Sequence, residues 1–274
     1  MGLSKVMNIN KVVSSLARHK QDFENFVNLQ LSKSKHDNLA IITAFDTSHY
    51  RSGMQLISSL SEYAVEIDTY VVNLGLTKDQ LKCIGIEFPN VKVSDFEYEK
   101  YPAFFDINNN AGSYAWKATI ISTFLDKGYE HLLWLDAGNK LIGGISNIQK
   151  LIDKHGFFAV PTSNTISELT HPDSILRLDI DLKRCDQLQL SAAFIGFCLE
   201  REYVRELIHD WAFNSSIKEV ICPNGSDRSN HRQDQSVFNL LIIQSSFLRK
   251  ASSLILCRRY SANLHKILTH QDID

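Results

Sequence analysis

The sequence lacks the features that mark a disulfide framework, a zinc site or a membrane span. Its five cysteines are scattered and none forms a CxxC pair, which favours reduced thiols in a cytosolic protein. No apolar stretch follows Met1 as in a signal peptide, and no run approaches about 18 apolar residues. We therefore expect a cytoplasmic protein that does not cross a membrane.

The common nucleotide-binding and hydrolase motifs are also missing. The chain has no GxxxxGK(S/T) loop, no GxGxxG after a strand, no GxSxG elbow and no HExxH helix. These absences argue against a P-loop enzyme, a dinucleotide-binding domain, an α/β-hydrolase and a zinc protease. The net charge of −2 gives no basic field for nucleic acid.

What is present is the composition of a globular protein: 274 residues, 44% apolar and 22% charged. Apolar runs typical of strands alternate with helical patterns from residue 39 onward, which predicts an α/β fold with a mostly parallel central sheet and helices on both faces. The predicted strands are 39–45, 66–73, 91–96, 132–135, 157–160, 191–199 and 254–260. The stretch 161–190 is predicted to be irregular.

Residues 1–36 differ from the rest because they are polar and mildly basic, with apolar residues at helical spacing. We interpret them as an N-terminal helical segment preceding a single domain at 37–274. Their basic residues would either form a solvated face or make a peripheral membrane contact.

Two carboxylates stand directly after predicted buried strands. Asp46 follows LAIITAF and Asp136 follows HLLWL. In open α/β sheets, ligands lie beyond the carboxyl ends of the strands. Asp136 could therefore hold a cation on a diphosphate or bond a ribose, or it could simply cap the following turn.

Four segments in chain order carry a resemblance. TAFDTSHYRSGMQLISSL (43–60) opens with a strand, a polar residue, a tyrosine and a glycine. A helix with Trp116 and Lys117 leads into HLLWLDAG. SAAFIGF forms a later strand, and HRQDQSVFNLL (231–241) begins a helix. Together they resemble the GT-A-fold sugar-nucleotide glycosyltransferases, in particular the glycogenin and lipopolysaccharide galactosyltransferase family.

The resemblance departs from the family at its DxD metal motif, because the second aspartate would stand where this chain has Gly138. Asn139 offers an amide oxygen, a weaker ligand for a hard cation. The resemblance thus implies Mn²⁺ or Mg²⁺ at Asp136 and Asn139, while Gly138 puts metal dependence in doubt. The family's Asn in the SAAFIGF strand and its C-terminal His-Gly-Lys-Pro-Trp element are also missing.

The family's catalytic helix start corresponds to Asp234 and Gln235. Asp234 would act as a general base or stabilise an oxocarbenium-like state, or it would cap its helix. Lys117 is the candidate cation for the diphosphate or sugar, against the alternative of a solvated helix lysine.

The remaining candidates would bind the donor. Thr43 and Asp46 would approach the base or ribose, and Tyr50 would stack on the base unless it is an ordinary half-buried tyrosine. Arg232 would meet a phosphate or an acidic acceptor, or lie on the surface.

The resemblance implies a glycosyltransferase that moves a sugar from a nucleoside diphosphate sugar to a glycan or lipid-linked acceptor, in bacterial surface polysaccharide synthesis. One alternative is a catalytically inactive relative that binds a nucleotide or glycan. Another, a sugar nucleotidyltransferase, is disfavoured because AFDTSHYRSG carries only one glycine and one arginine.

Overall fold

The computed structural model describes residues 38–245 and 266–273. The predicted N-terminal segment 1–36, its boundary with the following domain and the predicted strand 254–260 lie outside the described residues. Among the described residues, no helix has both the length and the apolar character needed to cross a membrane.

The described residues form a six-stranded sheet and a two-stranded ribbon. The strands are β1 (Leu39–Phe45), β2 (Asp68–Asn73), β3 (Lys92–Asp95), β4 (His131–Leu135), β5 (Lys140–Leu141), β6 (Phe157–Thr165), β7 (Leu188–Cys198) and β8 (Ile267–Leu268). The large sheet has the order β3-β2-β1-β4-β7-β6, with β3, β2, β1 and β4 parallel and β7 antiparallel to both of its neighbours. The predicted mostly parallel sheet is confirmed.

Eight α-helices connect these strands within the described residues. They are α1 (Tyr50–Tyr63), α2 (Lys78–Glu87), α3 (Ala115–Ser122), α4 (Ser146–His155), α5 (Pro172–Arg177), α6 (Glu202–Ser215), α7 (Lys218–Ile221) and α8 (Gln233–Gln244). Local sequence explains where several of them begin. At α2, for example, Thr77 and Gln80 form a reciprocal capping box.

The side chains of β1 alternate between two apolar cores, one on each face of the sheet. Ala40 and Ile42 belong to the larger core with Trp116 of α3. Phe45 belongs to the smaller core, where it packs with Ile57 of α1. Because both faces of β1 are covered, the strand is an almost continuous apolar run, as expected for a central parallel strand.

Several predicted elements have different bounds in the structure. Strand β6 runs through Pro161 to Thr165, which its edge position allows because a proline there loses no ladder hydrogen bond to a second neighbour. Helix α3 ends at Ser122 and continues as turns. The stretch 161–190 is not simply irregular, since it contains the end of β6, helix α5 and the start of β7.

The C-terminal residues 266–273 form a segment that lies along the end of the sheet. Its strand β8 pairs with β5 in antiparallel register. The amide of Gln271 donates to the Gly138 carbonyl (2.7 Å), and the amide of Ile273 donates to the Ser52 hydroxyl (2.9 Å). These bonds hold the segment beside the turn that follows β4.

Candidate active site

A cleft of about 510 Å³ lies where β1 and β4 end, the position at which open α/β sheets bind ligands. The start of α8 and the C-terminal segment also contribute to its wall. The sequence-predicted site residues that line it are Asp46, Lys117, Asp136, Asn139, Arg232, Asp234 and Gln235. The fold thus brings together residues that are far apart in the sequence.

Lys117 lies at the centre of this cleft wall, between two carboxylates. Its ammonium is 2.9 Å from Asp136 and 2.9 Å from Asp234, and it donates to the Ala192 carbonyl at 3.3 Å. Only 3% of its side chain is exposed. The interpretation of Lys117 as a solvated helix lysine was therefore wrong.

Lys117 is buried because α3 has no polar face. Every residue from Ala115 to Ile121 is buried, so the lysine cannot reach bulk solvent. Its ammonium also lies 5.8 Å from the ring centre of Tyr114 and 5.7 Å from that of Trp134. Aromatic faces and carboxylates together compensate for the lost hydration of the cation.

Burial and neighbouring charges shift the pKa values of Lys117 and Asp234. Burial alone would lower the pKa of Lys117, but Asp136 and Asp234 outweigh it and hold that pKa above the usual range, so the lysine stays protonated. Burial and the charge of Asp136 raise the pKa of Asp234, against the opposing effect of Lys117. Two carboxylates thus share one cation.

A strained turn leads into α3. Five consecutive residues, Asn110 to Tyr114, have φ between 49° and 61°. This left-handed conformation costs roughly 1–2 kcal/mol for each non-glycine residue. The turn places Ala111 and Tyr114 in the cleft wall, and the Trp116 indole donates to the Ala111 carbonyl at 3.0 Å. Strain of this kind is concentrated at functional sites in proteins.

One oxygen of Asp136 is held by its neighbours. Oδ1 accepts from the Trp134 indole at 2.7 Å and from Lys117. The side chain bonds no backbone amide in the part of the chain that the structure describes, so the turn-capping alternative for Asp136 is not observed. Its carboxylate remains 36% exposed and lies at the cleft surface.

The side chain of Asn139 is less accessible, with 1% of the residue exposed. Its amide nitrogen donates to the carbonyls of Asp136 and Ala193, both at 2.8 Å. Its oxygen is buried and has no hydrogen-bond partner among the described residues. Asn139 thus fixes the turn after β4, and only its oxygen is left for a ligand.

Helix α8 holds Asp234 and Gln235 against β7. The Gln235 side chain accepts from the Ala192 amide at 3.0 Å, and Asn239 exchanges two hydrogen bonds with the Leu190 backbone. The helix begins at Gln233 with Arg232 as its N-cap residue. The alternative that Asp234 is the N-cap was therefore wrong, and its carboxylate points to Lys117 instead.

Asp46 forms a second charged pair at the end of β1. Its carboxylate accepts from the backbone and ring of His49 and from the Ser48 hydroxyl. The hydrogen bond from His49 lowers the pKa of Asp46 to about 2, and the same bond raises the pKa of His49. Asp46 thus caps a short 3-10 turn while facing the cleft.

Two predicted donor-binding residues lie elsewhere. Thr43 is fully buried in β1, and its hydroxyl does not reach the cleft. Tyr50 begins α1 and lines a separate shallow groove with Phe88 and Ile273. Neither position supports a direct contact with a base in the cleft.

The structure adds cleft residues that the sequence did not single out as site residues. Arg228 stacks over Tyr114, with its guanidinium 6.0 Å from the ring centre, and Trp134 orients Asp136. His270 and Asp272 enter the cleft from the C-terminal segment. No local pattern marks these residues, because only the long-range packing of their segments brings them here.

The described residues contain no group of three or more His, Cys, Asp or Glu side chains placed to hold a metal ion. The carboxylate oxygens of Asp136 and the amide oxygen of Asn139 are ligands of the type that Mg²⁺ and similar cations bind. The site offers at most a partial set of protein ligands.

Comparison by sequence gives one match, which covers part of the chain. A family model described as "Protein of unknown function (DUF1647)" matches residues 9–122. No curated protein matches the sequence.

Three solved structures share the fold at low identity. A galactosyltransferase, LgtC, in complex with donor and acceptor sugar analogues has a TM-score of 0.50 at 14% identity, over 74% of this chain and 70% of that chain. The bifunctional glycosyltransferase WbbM has a TM-score of 0.53 at 14% identity, over 89% of this chain and 47% of that one. Mouse xyloside xylosyltransferase 1 has a TM-score of 0.51 at 12% identity, over 84% and 96%. The α/β architecture is that of the GT-A glycosyltransferases, which confirms the predicted fold class.

Proposed function

We propose that this protein is a glycosyltransferase that moves a sugar from a nucleoside diphosphate donor to a hydroxyl group of an acceptor. The observation that carries the proposal is the buried group Asp136–Lys117–Asp234 in the cleft of a GT-A-like fold. A purely structural ion pair needs no second carboxylate and no open cleft. Perturbed ionisable groups beside a cleft are typical of catalytic sites.

Asp234 would act at the reacting sugar. A buried carboxylate with a raised pKa can accept a proton from the acceptor hydroxyl or stabilise positive charge on the sugar. Gln235, fixed by the Ala192 amide and by Gln189, would orient the same sugar. Both residues begin one helix, so the fold fixes their relative position.

Lys117 acts as a positioning residue in this account. Because it pairs with Asp136 and Asp234 at once, it sets the distance between the end of β4 and the start of α8. It also prevents the two carboxylates from repelling each other. Among the described residues that line the cleft, Arg228, which is exposed, and the half-buried Arg232 are then available to a diphosphate.

Asp136 and Asp46 would bind the donor's nucleotide portion. Both lie just after parallel strands, and Asp136 is partly exposed. When bound, Mn²⁺ or Mg²⁺ would neutralise charge on the diphosphate, and Asp136 is the residue best placed to hold it. Asn139 contributes by fixing the turn.

The acceptor would be a glycan or a lipid-linked hydroxyl, and the biological setting bacterial surface polysaccharide synthesis in the cytoplasm. The sequence resemblance supports these finer assignments. The exposed side of the cleft, lined by Thr162 and Asn164 of β6, is where we place the acceptor. Asp173, Asp179 and Asp181, which lie on the following stretch, are not part of the cleft lining.

A second candidate is a catalytically inactive relative that binds a nucleotide or a glycan. Gly138 favours it, because the chain lacks a second carboxylate at that position. Such a protein would bind a nucleoside diphosphate without turning over its sugar derivative.

Thermal unfolding with nucleoside diphosphates tests the binding shared by both candidates. A ligand at about 100 times its dissociation constant adds about 2.7 kcal/mol of stability. We expect one of the uridine, guanosine, adenosine or cytidine diphosphates to stabilise the protein, and Asp136→Asn to reduce the shift. The matched control is Asp210→Asn, the same change at an exposed position of α6. No shift with any nucleotide would contradict the proposal.

A further inference from the structure

The carboxylate of Asp272 lies where a side chain on residue 138 would be. A Cβ atom built on Gly138 would lie 2.5 Å and 2.8 Å from the two carboxylate oxygens of Asp272. In an aspartate, the carboxylate oxygens are about 2.4 Å from their own Cβ by standard bond lengths. The Asp272 carboxylate therefore lies within reach of where an aspartate at position 138 would place its own.

The backbone holds Asp272 at this place. The amide of Gln271 donates to the Gly138 carbonyl at 2.7 Å. The Gln271 carbonyl accepts from the Gln55 side chain at 2.7 Å, and Ile273 bonds Ser52 on the same helix. Residues on both sides of Asp272 are thus tied to α1 and to the turn after β4.

The Asp272 carboxylate has no hydrogen bond or salt bridge within residues 38–245 and 266–273. It lines the cleft together with Asp136. The hydrogen bond to Asp46 is the main cause of the raised pKa of His49, and the charges of Asp272 and Asp136 add to it, so both carboxylates lie near that ring. In the same wall, the Asn139 oxygen is buried without a donor. The exposed Asp272 carboxylate and the buried Asn139 oxygen therefore offer two oxygens on the cleft wall to a hard cation.

We infer that Asp272 supplies, from the C-terminal segment, the carboxylate that Gly138 lacks, and that Asp136 and Asp272 together bind Mn²⁺ or Mg²⁺ when a nucleoside diphosphate is in the cleft. The inference rests on the proposed function, because the diphosphate completes the site. Mg²⁺ is usually bound by one or two carboxylates with substrate phosphates and water. Two protein carboxylates are therefore sufficient, although the described residues form no three-ligand group.

Glycine at 138 also leaves room for the Asp272 carboxylate. A Cβ at position 138 would displace the Asp272 carboxylate from its present place, so glycine leaves that place to Asp272. The second metal-binding carboxylate would then come from Asp272, far along the sequence, and not from position 138 in the turn.

Calorimetric titration of the full chain tests the inference. Uridine, guanosine, adenosine and cytidine diphosphates are titrated separately in Mn²⁺ and in EDTA. Wild type is expected to bind one of them at least about tenfold more tightly in Mn²⁺, on the scale of effects seen when metal-site groups are altered. Asp272→Asn should lose most of that gain while keeping the affinity measured in EDTA.

The double variant Gly138→Asp/Asp272→Ala should regain the Mn²⁺ effect, since it returns the carboxylate to the turn and removes the collision. Asp210→Asn is the control for loss of a surface charge, and melting temperatures check that each variant folds. Electron paramagnetic resonance of the complex with Mn²⁺ and nucleotide gives an independent measure of bound metal.

Two results would overturn the inference. One is a full Mn²⁺ effect in Asp272→Asn, and the other is equal wild-type affinity in Mn²⁺ and in EDTA. Nucleotide binding in EDTA without a metal effect would leave the proposed function standing. Absence of any nucleotide binding would remove both.

Discussion

The ammonium of Lys117 and the carboxylate of Asp234 form an ion pair of 2.9 Å in which 3% and 7% of the two side chains are exposed. The same ammonium pairs with Asp136 at 2.9 Å. One buried cation therefore links helix α3, the end of strand β4 and the start of helix α8 in the cleft wall.

Removing this cation should destabilise the protein strongly. Lys117→Met keeps an apolar stem of similar length but leaves two carboxylates facing each other without a counter-ion. Breaking a buried pair in this way costs about 3–5 kcal/mol. Urea unfolding would measure the loss, with Lys82→Met on the exposed surface of α2 as the control. Adding Asp234→Asn to Lys117→Met should recover part of the stability, and identical midpoints for wild type and Lys117→Met would contradict the account.

Stability should fall on mild acidification because of His231. Burial lowers the pKa of His231 to about 4, while its ring accepts from the His171 amide and contacts the Ile221 carbonyl. Between pH 6.5 and about 4 the unfolded chain binds a proton that the folded protein does not, so stability rises with pH across this window. A shift of this size corresponds to about 3 kcal/mol.

His231→Gln should remove this part of the pH dependence. The measurement is the free energy of unfolding at a series of pH values from 4 to 7. His155, whose pKa burial also lowers to about 4, should retain its own contribution in that variant. An unchanged slope in His231→Gln would show that the ring is not responsible.

The left-handed turn before α3 should not tolerate a side chain at Gly112. A Cβ there would lie 2.2 Å from the Phe105 carbonyl oxygen, and the residue has φ +61°. Gly112→Ala must therefore shift the backbone, at a cost of about 1–3 kcal/mol for the overpacking. Gly128→Ala is the matched control, because that glycine also has positive φ (+84°) but no atom within 4 Å of the added carbon. Equal thermal shifts in the two variants would rule out the collision as the cause.

Much of the fold could be predicted from sequence because the sheet is built from local patterns. Strand β1, for example, has the predicted bounds. The bounds of α3 and β6 were harder to predict. An apolar run does not show at which residue a helix gives way to turns. A proline such as Pro161 interrupts a strand only when that strand has a neighbour on both sides.

Site residues could be predicted where they directly follow a buried strand. Asp46 and Asp136 follow buried strands, and the fold places both in the cleft. The burial of Lys117 could not be anticipated, because a lysine in an apolar helix is buried only if carboxylates from distant segments reach it. The relation of Asp272 to Gly138 could not be predicted for the same reason, since it exists only in three dimensions.

The most direct measurement is release of nucleoside diphosphate from a panel of sugar nucleotides, with and without simple sugar acceptors. We expect wild type to turn over one of these donors. Asp234→Asn should lower the rate by about 10²–10⁴-fold, the usual contribution of a general acid or base, while nucleotide binding persists. Nucleotide binding without turnover of any donor would favour the inactive relative. Turnover that is unchanged in Asp234→Asn would contradict the assignment of the chemistry to the group Asp136–Lys117–Asp234.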